Sequence, residues 1–301
     1  MEKLRSKGYR LLRKLSEGVS AKIYLCELRR QGSAVGSESM MACKVIDKKH
    51  GEPKFVAKFL PREIAILSEL NNPHCVQVYS IMEIRNKCFV FMRYAENGDL
   101  LDFLSANGAT EESHARMWIR QMMLALRYLN SIHVAHRDIK CENILITTNM
   151  NAKLADFGFA RYWLDDKGRE QMSETYCGSI SYAAPEILAG QPYVPKFCDM
   201  WSMGVVFYIM TNMTKPFTKS KAGALLKQQL AKDYRFKPQA EKDLSSAAKT
   251  IIRRMLEPDT NQRATADYVL NSRWMQEDQL LLKLVPEDDF VEIKQSSLAP
   301  K

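Results

Sequence analysis

A loop of polar and charged residues between two apolar segments is the part of this sequence that most clearly suggests chemistry. It reads His136-Arg137-Asp138-Ile139-Lys140-Cys141-Glu142-Asn143 and follows a helical pattern that runs from Glu111 to about Ser131. Two short strand-like runs follow it and end at Asp156-Phe157-Gly158. So much charge between buried elements favours a charged ligand, although the side chains could instead pair with one another.

The composition bounds the class of protein. A chain of 301 residues with 46% hydrophobic content can form one large domain or two lobes in contact, which excludes a disordered chain. Its 44 basic and 35 acidic residues give a net charge of +9, which favours anionic partners such as nucleotide phosphates. We expect no nucleic-acid partner, because no basic run is interleaved with aromatic residues.

The cysteines and the apolar segments indicate the compartment. The seven cysteines are scattered without CxxC or metal-ligand spacing, as in a protein with reduced thiols. The first residues lack an apolar signal region, and the most apolar stretch, Trp201 to Met213, is too short to span a bilayer. We expect a cytoplasmic protein, with the nucleus left open, and no membrane partner.

The first part of the chain has the pattern of a small sheet. Tyr9 to Leu15 and Ile23 to Leu28 alternate as strands do, and small residues between them at 16 to 21 form a turn. Such a turn lets backbone amides approach a phosphate, but any tight hairpin has the same composition. Residues 31 to 40 have loop composition and predict an exposed insertion.

A lysine and a glutamate in this region could form a pair. The two-residue period of the strand Met41 to Ile46 places Lys44 on the same, inward face as Ala42. Such a lysine either finds an anion or extends to water. Glu63 lies near the start of a helix that begins at Pro61, where it could pair with Lys44 or merely suit the helix dipole.

The rest of the chain turns from strands to helices near residues 93 to 97, where we place a lobe boundary. Thr110 is a plausible N-cap of the next long helix, and a polar stretch of roughly 25 residues follows Gly158, which is long enough to suggest a function. Residues 276 to 301 carry six acidic and three basic residues and predict a tail. The remaining predicted strands and helices are Val76 to Met82, Cys88 to Tyr94, Cys198 to Met210, Lys221 to Ala231, Ser245 to Leu256 and Thr265 to Met275.

The order and spacing of these features resemble the signature set of protein kinases. The resemblance covers residues 9 to 275 and is closest to the testis-specific serine/threonine kinases of the calcium/calmodulin-dependent kinase group. Four stretches carry it: Lys58-Phe59-Leu60-Pro61-Arg62-Glu63, Asp138 to Asn143, Asp156-Phe157-Gly158-Phe159, and Thr175-Tyr176-Cys177-Gly178-Ser179.

The resemblance implies an α+β, bilobal protein-kinase fold. An N-lobe of residues 9 to 94 would hold a small antiparallel sheet with one main helix. A larger, mostly helical C-lobe would span residues 95 to 275, followed by the tail at 276 to 301. The resemblance also implies a monomer that uses ATP and Mg²⁺ and acts on protein substrates.

The family's site residues carry over onto matching positions of this chain. Asp138 would accept the proton of the substrate hydroxyl, and Lys140 would contact the γ-phosphate. Lys44, positioned by Glu63, would hold the α- and β-phosphates. Asn143 and Asp156 would supply oxygen ligands to Mg²⁺. The other expected nucleotide contacts are Leu15, Ser16, Gly18, Ala21, Ile23, Ala42, Met92 as the gatekeeper, Tyr94 at the hinge, Asp99 and Leu145.

Substrate choice and regulation follow from the same resemblance. A lysine at the position of Lys140 goes with serine/threonine substrates. Asp99 and Glu142 match acidic positions that bind ribose or basic residues upstream of the target, although both could simply be solvated. Arg137 and Arg161 would receive a phosphate placed on Thr175 by an upstream kinase, and Ser173 and Ser179 are alternative phosphorylation sites.

The sequence departs from the family at a few positions. Ser16 and Ala21 stand where glycine is frequent, Arg93 stands where a hinge acid is common, and Cys43 replaces a branched residue on the outward face. None of these changes removes a charged catalytic group. The competing class is a pseudokinase scaffold, which usually lacks one of those groups. His136 is expected to pack beneath Phe157, and a role in male germ cells rests on the resemblance alone.

Overall fold

An antiparallel sheet forms the N-lobe in the computed structural model, which describes residues 2–18, 21–29, 39–50, 53, 55–174 and 178–278. Within these residues the sheet has five strands, in the order β1-β2-β3-β5-β4. The central strand β3 pairs Lys44 with Ile23 on one side and with Val90 on the other. The strands are β1 (Tyr9–Glu17), β2 (Lys22–Leu28), β3 (Ser39–Asp47), β4 (Val78–Ile84) and β5 (Lys87–Arg93).

Two helices pack on opposite faces of this sheet. The short helix α1 (Glu2–Arg5) places Leu4, 1% exposed, in an apolar cluster with Cys43 and Phe91 on the outer face. Helix α2 (Leu60–Glu69) has a proline in its first turn, buries Ile66 in the main core and carries Glu63 toward β3. The sheet therefore has both faces covered.

The C-lobe is mostly helical. Two short strand pairs frame its upper part, β6 (Val134–Ala135) with β9 (Arg161–Tyr162) and β7 (Ile144–Ile146) with β8 (Ala152–Leu154). Its helices are α3 (Leu100–Asn107), α4 (Glu112–Ser131), α5 (Pro185–Leu188), α6 (Pro195–Asn212), α7 (Ala222–Leu230), α8 (Pro238–Asp243), α9 (Ser246–Met255), α10 (Ala266–Leu270) and α11 (Arg273–Gln276).

Helix α6 forms the centre of this lobe. It is apolar nearly all round and almost every residue is buried, as expected for a helix enclosed by others. Gly204 allows α9 to approach, because a Cβ there would lie 2.9 Å from the Met255 Cβ. Trp201 and Phe207 are fully buried, and each buried side chain of this size contributes roughly 2–3 kcal/mol of transfer free energy. The helix is a rigid base for the loops above it.

The structure confirms the expected α+β, bilobal fold and corrects several details. Ser39 and Met40 begin β3 and do not belong to an exposed insertion, whereas the residues before 39 in that stretch lie outside the described part. Glu111, not Thr110, is the N-cap of α4. The segment Thr265 to Met275 is two helices, because the Ser272 hydroxyl accepts a hydrogen bond from the Met275 amide and starts α11 anew.

The outward face of β3 is covered by a helix that the sequence did not predict. Cys43 does lie opposite to Ala42 and Lys44 across the strand, but it is fully buried because α1 and its Leu4 cover it. Burial raises the pKa of this thiol above its usual range. Among the described residues, no helix is long and apolar enough to cross a membrane.

Candidate active site

Asp138 lies at the centre of the polar loop between β6 and β7. Its side chain is nearly buried, and Lys140 Nζ lies 2.8 Å from its Oδ2. The Asn143 amide nitrogen donates to the Asp138 carbonyl oxygen at 2.7 Å and to Oδ2 at 3.0 Å. The loop therefore brings Asp138, Lys140 and Asn143 into one hydrogen-bonded cluster.

A buried aspartate that the sequence reasoning missed holds this loop. Asp199, in the first turns of α6, accepts hydrogen bonds from the backbone amides of His136 at 2.7 Å and Arg137 at 2.8 Å. Burial raises the pKa of Asp199 above its ordinary value. Arg137 has a φ of +67°, so these bonds hold a backbone conformation that is unfavourable for a residue with a side chain. An aspartate in an otherwise apolar helix was the available signal.

His136 has the structural role expected for it. Its ring lies 4.8 Å from the ring of Phe157, centroid to centroid, and its Nε2 is 2.9 Å from the Ala155 carbonyl oxygen. Both rings are fully buried. This packing confirms the expectation and joins the loop to the segment that carries Asp156.

Lys44 bridges two carboxylates in the cleft between the lobes. Its Nζ lies 2.6 Å from Glu63 Oε1 and 2.7 Å from Asp156 Oδ1, so the expected contact between Lys44 and Glu63 is present. Burial alone would lower the pKa of Lys44, but the charges of Asp156 and Glu63 raise it above its usual value. The lysine is therefore held as a cation that faces the cleft.

The Asp156 carboxylate is both ionised and accessible to solvent. The charge of Lys44 lowers the pKa of Asp156 to about 2, and half of its side chain is exposed. Its φ of +60° turns the carboxylate toward Lys44, and the adjacent Ala155 amide donates to the Asn143 carbonyl oxygen at 2.8 Å. An ionised, accessible carboxylate in a segment whose backbone is bonded to that of Asn143 suits a hard divalent cation that also takes phosphate oxygens. In the described part of the chain, no group of three or more His, Cys, Asp or Glu side chains could form a closed metal site.

The expected nucleotide contacts of the cleft fall into three sets by exposure. Ala42 and Met92 are buried and lie opposite each other in the register of β3 and β5. Ser16 and Gly18 are exposed at the hairpin turn. Five other expected contacts are partly exposed and pack against the main core that also contains Ala42 and Met92. They are Leu15, Ala21, Ile23, Tyr94 and Leu145.

Asp99 lies at the edge of the cleft. It forms a bridge with Leu145, and its Oδ1 accepts the Asp102 amide at 2.9 Å as the N-cap of α3. Burial raises the pKa of Asp99 above its ordinary value. The carboxylate is therefore engaged with the helix through one oxygen.

The two arginines expected at the regulatory site both contact the segment that follows Asp156. Arg137 donates to the Phe159 carbonyl oxygen at 2.8 Å and to the Ser173 hydroxyl at 3.1 Å. Arg161 donates to the Met172 carbonyl oxygen at 3.5 Å. Thr175 itself lies outside the described residues.

Ser173 is a poor candidate for phosphorylation, contrary to the alternative raised from the sequence. It is fully buried, and its backbone pairs with Tyr193 in both directions, at 2.8 and 3.0 Å. A phosphate on this hydroxyl would need room that the packing does not provide. Ser173 instead completes the environment of Arg137.

Comparisons with known proteins agree with this geometry. The protein kinase domain model matches residues 9–275. The chain belongs to the protein kinase family. It is 41% identical over 275 residues to testis-specific serine/threonine-protein kinase 1 of Mus musculus, with 91% of this chain and 73% of that protein covered.

Two other relatives widen the comparison. Testis-specific serine/threonine-protein kinase 3 of Mus musculus is 37% identical over 273 residues, with 90% of this kinase and 97% of that protein covered. Serine/threonine-protein kinase SIK2 of Gallus gallus is 37% identical over 242 residues, with 80% and 29% covered. These matches confirm the expected resemblance and the expected enzyme class, a serine/threonine protein kinase.

Arg93 and Glu96 form a group of contacts at the end of β5. Arg93 donates to the Tyr94 carbonyl oxygen and forms a pair with Glu96, whose Oε1 is 2.6 Å from Arg93 Nη1. Glu96 Oε2 accepts the Thr148 amide at 3.2 Å. The arginine noted as a departure from the family is therefore part of a link between the end of β5 and the C-lobe.

Two further contacts in the kinase escaped the sequence reasoning. Ser179 was noted only as a phosphorylation site, yet its amide donates to Asp138 Oδ1 at 3.1 Å, and a Cβ on the preceding Gly178 would lie 2.7 Å from the Arg137 carbonyl oxygen. Arg263 forms a buried pair with Glu186 at 2.6 Å. Charge alone gave no signal for either contact, because the partners are far apart in the sequence.

Proposed function

We propose that this kinase transfers the γ-phosphoryl group of ATP to serine or threonine hydroxyls of protein substrates. The observation that carries the proposal is the placement of Lys44, Asp138 and Asp156. Lys44 is held between two carboxylates, while Asp138 lies in a separate cluster with Lys140. A cation for phosphates and a carboxylate for the nucleophile are what phosphoryl transfer requires.

Asp138 is the proposed base. Its Oδ2 would accept the hydroxyl proton as the substrate oxygen bonds to the γ-phosphorus and the bond to the β-phosphate oxygen breaks. The amide of Asn143 and the ammonium of Lys140 both contact this carboxylate and fix its direction. Lys140, with part of its side chain exposed, would also contact the γ-phosphate and stabilise the charge that develops on its oxygens.

Lys44 is the proposed ligand of the α- and β-phosphates, and Glu63 its positioning residue. Glu63 is 1% exposed, so its charge acts across a region with little water. Asn143 and Asp156 are the proposed ligands of a divalent cation, for which we propose Mg²⁺. When bound, that ion would neutralise phosphate charge and orient the phosphoryl group.

The adenine would lie between the apolar side chains of the cleft. Ala42, Ile23 and Leu145 offer apolar surface, Met92 closes the inner end as gatekeeper, and the backbone near Tyr94 supplies polar contacts. Ser16 and Gly18 leave the hairpin turn open to phosphate, and Leu15, Ala21 and Asp99 complete the proposed nucleotide contacts.

We propose a preference for basic residues upstream of the target hydroxyl. Glu142 is exposed, and its Oε2 lies 3.4 Å from the Tyr182 hydroxyl, which leaves the carboxylate accessible. Asp99 has one oxygen on the α3 amide and would use the other. A peptide array tests this: enrichment of Arg or Lys upstream is expected, and no basic preference would remove the claim.

The proposed regulation, organisation and setting rest on the family. A phosphothreonine at Thr175, added by an upstream kinase, would pair with Arg137 and Arg161. We propose a kinase domain at 9–275, with lobes at 9–94 and 95–275 and a tail at 276–301, in a cytoplasmic monomer. Because the relatives named above are called testis-specific, a signalling role in male germ-cell development is proposed, and a tissue expression profile tests it.

The experiment for the proposed activity uses the full chain with Mg²⁺, ATP and a mixture of basic peptides. Each peptide has serine, threonine or tyrosine as its only hydroxyl, and mass spectrometry identifies the products. Phosphoserine and phosphothreonine peptides are expected with wild type. The alternative, a pseudokinase scaffold, predicts that wild type and Asp138→Asn yield no product at all.

A further inference from the structure

A groove on the C-lobe, away from the cleft, is lined by basic and aromatic side chains. It has a volume of about 550 Å³, and we call it the basic groove. None of its residues belongs to the catalytic or nucleotide-binding set described above. Its lining is Lys232, Tyr234, Arg235, Phe236, Glu241, Arg253, Arg254 and Glu257.

The charges of the basic groove are not balanced. Its two acids already have lysine partners, since Glu257 lies 2.6 Å from Lys232 and Glu241 lies 2.9 Å from Lys249. Three arginines remain. Within the described residues no carboxylate lies within 4.0 Å of any of them: Arg235, Arg253 and Arg254.

One of these guanidinium groups also lacks a hydrogen bond where water is excluded. The Nε of Arg254 is buried and has no hydrogen-bond partner among the residues that the structure describes. A buried donor without an acceptor is unfavourable, and an arginine is the side chain best suited to a carboxylate. With three arginines that lack a carboxylate partner among the described residues, the groove offers sites for more than one acidic group.

Aromatic rings give the basic groove an apolar component. The guanidinium of Arg253 lies 5.3 Å from the Phe236 ring centroid, and that of Arg254 lies 5.4 Å from the ring of Tyr268, which is 43% exposed. Leu230, at the end of the neighbouring helix α7, is 57% exposed. The surface suits a peptide in which acidic residues alternate with an aromatic or aliphatic side chain.

The chain itself contains such a peptide. Residues 286 to 293, which lie beyond the described part, read Pro-Glu-Asp-Asp-Phe-Val-Glu-Ile. Four of the eight side chains are acidic, and an aromatic and two aliphatic side chains lie among them. We propose that this acidic segment docks in the basic groove of the same molecule.

The chain between the last described residue, Asp278, and the acidic segment is long enough to reach the basic groove. Helix α11 and the start of α9 share one carboxylate, because Glu112 Oε1 accepts from Trp274 Nε1 at 2.7 Å and from the Ser245 hydroxyl at 2.8 Å. Arg253 lies eight residues further along α9, about 12 Å away along its axis. The residues between Asp278 and Glu287 can span up to roughly 30 Å, so the segment can reach the groove.

Hydrogen exchange of the full chain, followed by mass spectrometry of peptides from 279 to 301, tests the proposal. At low ionic strength we expect residues 286 to 293 to exchange about tenfold more slowly than the unstructured rate, because the tether keeps the segment at a high local concentration. The slowing should shrink at 0.5 M NaCl, since salt screens exposed charge pairs. It should not depend on protein concentration.

Charge reversal connects the protection to the groove. Arg253→Glu and Arg235→Glu change exposed side chains, so the fold should be retained, and each should return the segment to the unstructured rate. Combining Arg253→Glu with Asp288→Arg and Asp289→Arg should restore the protection. Lys219→Glu, an exposed charge change outside the lining of the groove, is the matched control and should leave the protection unchanged.

Three results would overturn the proposal. The first is exchange of residues 286 to 293 at the unstructured rate in wild type. The second is protection that Arg253→Glu and Arg235→Glu leave intact. The third is protection that grows with protein concentration, which would place the segment on a second copy of the chain. Kinase activity does not enter the readout, so failure here leaves the proposed function untouched.

Discussion

The Tyr162 hydroxyl donates a hydrogen bond of 2.8 Å to Glu69 Oε2. Burial and the negative charge of Glu69 raise the pKa of Tyr162 to about 12, so the phenol keeps its proton at neutral pH. Tyr162 belongs to β9, just after the segment of Asp156, and Glu69 ends α2, the helix that carries Glu63. The bond therefore links the segment that follows Asp156 to the helix whose Glu63 holds Lys44.

Replacement of Tyr162 by phenylalanine tests this link. The loss of one hydrogen bond to a charged group should reduce the free energy that favours the observed position of α2 by roughly 1–2 kcal/mol. We expect kcat of the unphosphorylated kinase to fall by about three- to tenfold, with the melting temperature nearly unchanged. Tyr268→Phe, which removes an exposed hydroxyl elsewhere, is the control, and equal activities for the two variants would contradict the link.

The contact between Lys44 and Glu63 was expected from the resemblance, whereas the contacts of Lys44 with Asp156 and of Asp199 with the loop were not predicted. The two-residue period of β3 places Lys44 inward and the helix start at Pro61 places Glu63 near the start of α2, but these local patterns alone left the pairing open. Asp199 bonds to an amide 62 residues earlier, a pairing that only the packing of α6 creates. Similarly, a four-residue helix such as α1 has no periodicity that could reveal its burial of Leu4.

The close approach of α6 and α9 gives a prediction about stability. Gly204→Ala would place a Cβ 2.9 Å from Met255 and 3.0 Å from Leu256, both rigidly packed, so it should destabilise the kinase by about 1–3 kcal/mol. Gly223→Ala, in α7 with no atom within 4 Å of the new Cβ, should instead stabilise it by roughly 0.5–1 kcal/mol. Urea unfolding measures both, and the same sign for the two variants would contradict the packing argument.

A buried histidine predicts acid sensitivity. His74 is 3% exposed, and burial together with the charges of Lys153 and Arg120 lowers its pKa to about 4 from an ordinary value of 6.5. The unfolded chain therefore binds a proton that the folded chain rejects. Stability should fall as the pH drops from about 6.5 to about 4, by up to roughly 3 kcal/mol from this residue.

The measurement for His74 compares wild type with His74→Gln by urea unfolding between pH 4 and 7.5. Glutamine keeps a polar side chain but does not titrate in this range. As the pH falls, the unfolding free energy of wild type should therefore decrease more than that of the variant. A difference that is constant with pH would show that His74 does not cause the sensitivity.

Thr175→Ala tests the proposed regulation. After incubation with an activating kinase, wild type should gain activity because a phosphate pairs with Arg137 and Arg161 and orders the segment. The alanine variant should remain at the basal level, about tenfold or more below the activated enzyme. Activity of a purified alanine variant equal to that of activated wild type would count against the switch.

The most direct test of the account is steady-state phosphorylation of a basic serine peptide by wild type and Asp138→Asn. Asparagine keeps the size of the side chain but cannot accept the hydroxyl proton, so kcat should fall by about 10²–10⁴-fold. The KM for ATP should stay within roughly threefold, because Asp138 is not a proposed nucleotide contact. An Asp138→Asn variant with the kcat of wild type would contradict the assignment of Asp138 as the base.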